Sequence, residues 1–155
     1  MNDTALLRRA IQEAEAARKQ GNHPFGAILV DQHGNVLMTA QNTVTTERDA
    51  TGHAETNLMR MASFRYSREF LRTCTMYTST EPCAMCAGAT YWAGVGRVVY
   101  GLSESELYNM TGDNAENLTM RLPCRDVFAK GQENVQVEGP LLEEEARTVH
   151  EGFWT

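Results

Sequence analysis

The chain has 155 residues, 42% hydrophobic and 22% charged, a length and balance that suit one ordinary globular domain, residues 1–155, with a buriable core. No apolar run approaches the roughly 20 residues of a membrane span, and Met1 to Gln20 carries charges where a signal peptide is apolar, so the expected location is the cytoplasm. Fourteen Lys and Arg against 20 Asp and Glu leave a formal charge of −6, which argues against broad electrostatic binding to nucleic acid.

The charge surplus is local. Basic and acidic residues nearly balance as far as Lys130, whereas beyond it only Arg147 stands against Glu133, Glu138, Glu143, Glu144, Glu145 and Glu151. Of the four cysteines, Cys74, Cys83, Cys86 and Cys124, the Cys83/Cys86 pair is too close for an ordinary structural bridge. Metal or redox chemistry is the better reading for it.

In chain order, Asp3 is read as the cap of a first helix that runs to about Gln20, with Leu6, Leu7, Ala10, Ile11, Ala14 and Ala17 at helical spacing and Gly21 as the stop. Phe25–Val30 and Val36–Ala40, joined by the turn residues Asp31 to Asn35, predict a β-hairpin. Asn42 to Gly52 reads as a loop. A second helix is expected from His53 to about Ala62, burying Ala54, Leu58, Met59 and Met61, followed by a strand over Cys74–Ser79. Pro82 precedes a helix over Cys83–Ala93, and Arg97–Tyr100 forms a strand ended by Gly101.

Ser103 to Thr119 is polar, with a turn at Thr111-Gly112-Asp113-Asn114. Pro123 opens a short helix to Ala129, and a fifth strand is placed at Val135–Glu138. Pro140 is read as opening a last helix with Leu142, Ala146, Val149 and Phe153 in one apolar stripe, so that residues 140–155 form a C-terminal helix or lid. Strands alternating with helices predict one layered α/β domain.

Two strings carry chemistry: His53-Ala54-Glu55 and, some thirty residues later, Pro82-Cys83-Ala84-Met85-Cys86. Each opens a predicted helix, where free N–H groups and the helix dipole favour a thiolate. His53, Cys83 and Cys86 make three zinc ligands, which leaves the fourth tetrahedral position for water, as in a catalytic site. Glu55 becomes the proton shuttle between water, ring nitrogen and departing amine. The alternative is a structural, non-catalytic zinc module closed by Cys74 or Cys124, or a redox pair. Neither extra cysteine has ligand spacing. The combined pattern is the signature of the zinc nucleobase deaminases.

The stretch from Pro24 to Gly101 resembles the cytidine-deaminase-like superfamily, especially its guanine, cytosine and tRNA adenosine deaminase branch. The resemblance rests on Pro24-Phe25-Gly26-Ala27, Asn42, Gly52-His53-Ala54-Glu55 and Thr80-Glu81-Pro82-Cys83-Ala84-Met85-Cys86-Ala87-Gly88-Ala89. It implies a three-layer αβα sandwich around a five-stranded mixed sheet of order 2-1-3-4-5. It also implies one zinc per subunit and a homodimer or higher oligomer.

Tyr91-Trp92-Ala93 and the aromatic chain end resemble bacterial guanine deaminases, in which a C-terminal segment covers the active site. Through that resemblance Asn42, Phe25, Ala54, Trp92, Asp113 and Trp154 are candidate substrate contacts, and one of Glu143, Glu144 and Glu145 is a candidate to reach the pocket. The plainer readings are a turn for Asn42 and Asp113, core for Phe25, hydrophobic docking for Phe153 and Trp154, and a solvated helix face for the glutamates. The expected reaction is hydrolytic deamination of a small nucleobase, guanine to xanthine and ammonia, with a cytosine-like or triazine base as a neighbour. A tRNA adenosine deaminase is the alternative, against which the acidic end of the chain weighs.

Overall fold

A computed structural model describes residues 1–155. Its five strands, β1 (Gly26–Val30), β2 (Val36–Gln41), β3 (Thr75–Thr80), β4 (Arg97–Leu102) and β5 (Gln136–Glu138), form one sheet of order β2-β1-β3-β4-β5. β1 lies antiparallel to β2 and β3, while β3, β4 and β5 run parallel. This is the mixed five-stranded sheet expected from the sequence.

Alternation along the strands builds the layers, because successive side chains leave a strand on opposite faces. Ala27, Leu29, Met76, Val98 and Tyr100 face one core with α2 (Ala54–Arg65) and α4 (Ala84–Ala93). Ile28, Val30, Tyr77 and Val99 face the other, with α1 (Asp3–Lys19) and α7 (Glu143–Thr148); Leu102 joins this second core at the end of β4, out of step with the alternation of Val98 and Tyr100. Three short helices complete the chain: α3 (Arg68–Leu71), α5 (Glu104–Thr111) and α6 (Cys124–Ala129). No helix is long and apolar enough to cross a membrane.

Several boundaries differ from the sequence reading, each for a local reason. The α1 cap is Asn2, whose side chain accepts the Ala5 N–H; Asp3 instead binds Arg97 and the Tyr77 hydroxyl. Met61 is 41% exposed and not buried. Gly101 does not end β4 but lies inside it, because a Cβ there would come within 2.7 Å of Ser79 O and 2.9 Å of Ala146 Cβ. The missing side chain lets α7 approach the sheet.

The polar stretch after Gly101 contains α5, capped by Ser103, which accepts the Glu106 N–H. Ser103 and Glu106 have capping-box spacing, the signal that marks this helix in the sequence. Pro140 does not open the last helix. Leu141 N–H bonds to Tyr100 O as the chain leaves β5, and α7 starts only at Glu143. It ends at Thr148, so Phe153 leaves the apolar stripe in a terminal turn.

Candidate active site

His53 is the N-cap residue of α2 and Cys83 that of α4, and neither uses its side chain to cap its helix. Both side chains are therefore free to turn toward one point, where Cys86 joins them from the first turn of α4. His53 Nδ1 lies 3.5 Å from Cys83 Sγ and 3.5 Å from Cys86 Sγ, and all three donor atoms fall within 4.8 Å of one another.

Zinc fits this donor set. With Zn–S near 2.3 Å and Zn–N near 2.05 Å, a tetrahedral angle separates nitrogen from sulfur by about 3.6 Å, which is the spacing observed. Cys74 and Cys124 are buried in the hydrophobic core and stand outside the metal-ligating group, so no fourth sulfur closes the site. Hydrogen bonding from the Cys86 thiol, helped by His53, pulls the Cys83 pKa down, while Cys86 rises. The Thr56 hydroxyl lies 3.2 Å from Cys86 Sγ, a further polar contact at the sulfur.

Beside the ligands is a cavity of about 280 Å³. Glu55, on the first turn of α2, lines it and is 5% exposed. Burial, with the Cys83 sulfur adding to it, pushes its carboxyl up to about 7, the range in which one group both takes and returns a proton at neutral pH. Four larger depressions, of about 460, 430, 380 and 290 Å³, hold no metal-ligating cluster.

The cavity wall gathers part of the expected contact set. Asn42 and Phe25 line it; Asn42 is 1% exposed, and its Oδ1 accepts the Val44 N–H. The other four expected contacts stand elsewhere. Ala54 is packed into the core at the start of α2. Trp92, on the outer face of α4, is 77% exposed. Asp113 is exposed and lines a neighbouring surface depression.

Trp154 packs behind the wall. Its ring centroid lies 5.1 Å from that of His23 and 6.1 Å from that of Phe25, and its indole N–H donates to His150 Nδ1 at 3.0 Å. The chain end thus buttresses two cavity residues without covering the cavity. None of Glu143, Glu144 and Glu145 lines it either. Glu145 instead forms a two-pronged pair with Arg8.

Other wall residues were not expected as substrate contacts: Thr80 and Glu81, which stand in the Thr80–Ala89 string without an assigned role, and His23, Glu104, Leu107 and the rim segment 115–118, which no motif announces. Glu81 is the organiser. Its Oε1 accepts the Glu104 N–H and its Oε2 the Cys124 N–H, each at 3.0 Å. One carboxylate thereby satisfies the first N–H groups of α5 and α6, where the helix dipole favours negative charge. Burial pushes the Glu104 carboxyl up to about 8, with Cys83, Glu81 and Glu55 near enough for their charges to add to it.

Comparison with known proteins agrees with this geometry. Residues 1–102 match the family described as the cytidine and deoxycytidylate deaminase zinc-binding region. The chain is similar to a probable cytosine deaminase of Schizosaccharomyces pombe, 43% identical over 152 residues, covering 98% of this chain and 92% of the relative. It is also similar to the guanine deaminase of Bacillus subtilis, 37% identical over 131 residues, covering 77% and 83%. A solved structure from a study of A-to-I editing by tRNA:A34 deaminases superposes with a TM-score of 0.74 at 28% identity, covering 94% of this chain and 99% of that one. The chain therefore belongs to the cytidine and deoxycytidylate deaminase zinc-binding family and is a hydrolytic deaminase of the zinc type.

Proposed function

We propose that this protein deaminates a free nucleobase, converting guanine and water to xanthine and ammonia. The observation that carries the free-base reading is the size of the cavity. At about 280 Å³ it falls just below the usual range for small-molecule sites and suits a single heterocycle. The acidic residues at the chain end offer no basic track for an RNA backbone.

His53, Cys83 and Cys86 would hold the zinc. When bound, zinc supplies a Lewis acid that brings the pKa of water to about 7. Glu55 takes a proton from the water oxygen and delivers it to the bare ring nitrogen beside the amino-bearing carbon. As the oxygen bonds to that carbon, Glu55 takes the second proton from the oxygen and gives it to the amino group. The C–N bond breaks, ammonia leaves, and the carbon becomes a carbonyl. Asn42 and Phe25 orient the ring.

Ammonia release from a panel of bases by zinc-loaded protein, with Glu55→Ala as control, tests the proposal. Guanine should give xanthine and ammonia, and the control should give neither. If no base turns over at one zinc per chain, or if an anticodon stem-loop is deaminated faster than any base, the free-base reading is wrong. Cytosine is the second reading, supported by the relative that is 43% identical across 98% of the chain. A homodimer with one zinc per subunit belongs to the same proposal. Phe64 and Trp92, 95% and 77% exposed on the adjoining helices α2 and α4, are apolar surface that a second copy would cover, and light scattering would detect the dimer.

A further inference from the structure

This inference rests on the deaminase reading and asks which ring edge the cavity accepts. Only three buried side-chain nitrogen or oxygen atoms lack a hydrogen-bond partner in the chain, and two of them, Thr80 Oγ1 and Glu104 Oε2, belong to residues of this one cavity. Thr80 is 3% exposed. Buried polar atoms are almost always paired, and an orphan pair in a ligand cavity marks where a ligand's polar groups go.

The two orphans are brought together by the sheet. Thr80, the last residue of β3, pairs with Leu102, the last residue of parallel β4, and Glu104 follows two residues later at the start of α5. Glu81 holds the Glu104 backbone in place and leads directly through Pro82 to Cys83. The backbone that carries this carboxyl is thus tied to the same strand end that carries the ligands. Parallel strand ends are where open α/β sheets form their binding crevices.

We propose that Glu104, assisted by the Thr80 hydroxyl, is the residue that determines base specificity, its carboxylate accepting N–H bonds from both the departing amino group and an adjoining ring N–H. The substrate class that fits is the 2-amino-4-oxo heterocycles, guanine and its one-ring counterpart isocytosine. There the amino-bearing carbon lies between a bare ring nitrogen, which Glu55 protonates, and a ring N–H, which faces Glu104. Burial raises the Glu104 carboxyl, but two N–H bonds donated by the base favour its charged form, so this edge binds to the carboxylate, which accepts through both oxygens. In cytosine the second neighbour is a C–H, so the pair is lost and an apolar edge faces the charged oxygen.

Isocytosine and cytosine are isomers of the same size, so their kcat/KM values isolate the edge. On zinc-loaded full-length protein, isocytosine should exceed cytosine by about 100-fold. Glu104→Gln replaces one acceptor by a donor and should lower guanine and isocytosine by about the same factor, with a smaller loss for cytosine, so that the isocytosine-to-cytosine ratio falls at least about tenfold. An unchanged unfolding midpoint and zinc content would show that the variant is folded. Independently of any variant, 1-methylguanine, which lacks the ring N–H, should be about 100-fold poorer than guanine for the wild-type protein. The proposal is overturned if cytosine is used as well as isocytosine, if 1-methylguanine matches guanine, or if Glu104→Gln keeps the wild-type ratio. Failure of every base to release ammonia is a different result, because it removes the free-base reading as well.

Discussion

Glu81 accepts the backbone N–H of Glu104 through Oε1 at 3.0 Å, so a residue two positions before a metal ligand sets the start of the helix that forms the opposite cavity wall. Its other oxygen does the same for Cys124 at 3.0 Å. A side chain that is 9% exposed thus joins β3, α5 and α6 at the site.

Glu81→Gln should destabilise the zinc-loaded protein by about 2 kcal/mol. The amide has one acceptor for two N–H groups, and a buried donor left unpaired costs about 1–3 kcal/mol. Urea unfolding of both proteins at equal zinc measures it; equal midpoints would mean that Glu81 does not anchor the two helices.

Removing the metal should loosen the two helix starts together, because His53 and Cys83 are the N-cap residues of α2 and α4 and provide no side-chain caps. A chelator should lower the unfolding midpoint, and added zinc should restore it, because a ligand held by the folded state alone stabilises that state. Magnesium should not substitute, since it prefers oxygen ligands to a donor set of one imidazole and two thiolates. Cys86→Ser should show the lower midpoint without chelator.

His150 should make the protein acid-sensitive. It is 1% exposed, and burial, with Arg18 adding to it, pushes its pKa down to about 4, against about 6.5 in an unfolded chain. The unfolded state therefore binds the proton first. The neutral ring's contribution is complete above pH 6.5 and shrinks, by at most about 1 kcal/mol per pH unit, as pH falls from there toward 4. His150→Gln should be less sensitive over that interval, as unfolding free energies at pH 7 and pH 5 would show. Parallel losses in the two proteins would assign the acid response to other groups.

Asp3 and Arg97 join α1 to β4 through two hydrogen bonds of 3.1 and 2.7 Å, and the Arg97 guanidinium holds the Asp3 carboxyl below its ordinary value. With side chains 31% and 23% exposed, the pair should show a double-mutant coupling of about 1 kcal/mol near neutral pH. Asp3 titrates later in the folded state, so this contribution is present above about pH 4 and is lost as pH falls through the lowered value. Coupling that persists unchanged at pH 2 would contradict the ion pair.

The sequence by itself determined the strands and the candidate metal ligands, because both are written in short-range spacing, whereas the order of the strands in the sheet was implied by the family resemblance. Alternation in Ala27 to Val30 and Val98 to Tyr100 assigns each side chain to one face of the sheet, and the tertiary structure buries them accordingly. The three ligands and Glu55 sit at helix starts that Pro82 and the loop before His53 mark locally. The substrate wall is different in kind. Glu104 and His23 carry no periodic or motif signal, and Thr80 and Glu81 stand in the string before Cys83 with no role that spacing assigns; the four meet because pairing of β3 with β4 and of β1 with β3 brings distant strand ends side by side. Trp92 and Asp113 show the converse: residues that resemble site residues in sequence stand away from the cavity, since a helix has an outer face and a turn has an exposed tip. Local spacing specifies which side of an element is buried, whereas a cavity is bounded by the ends of several elements, and only their packing decides which side chains meet there.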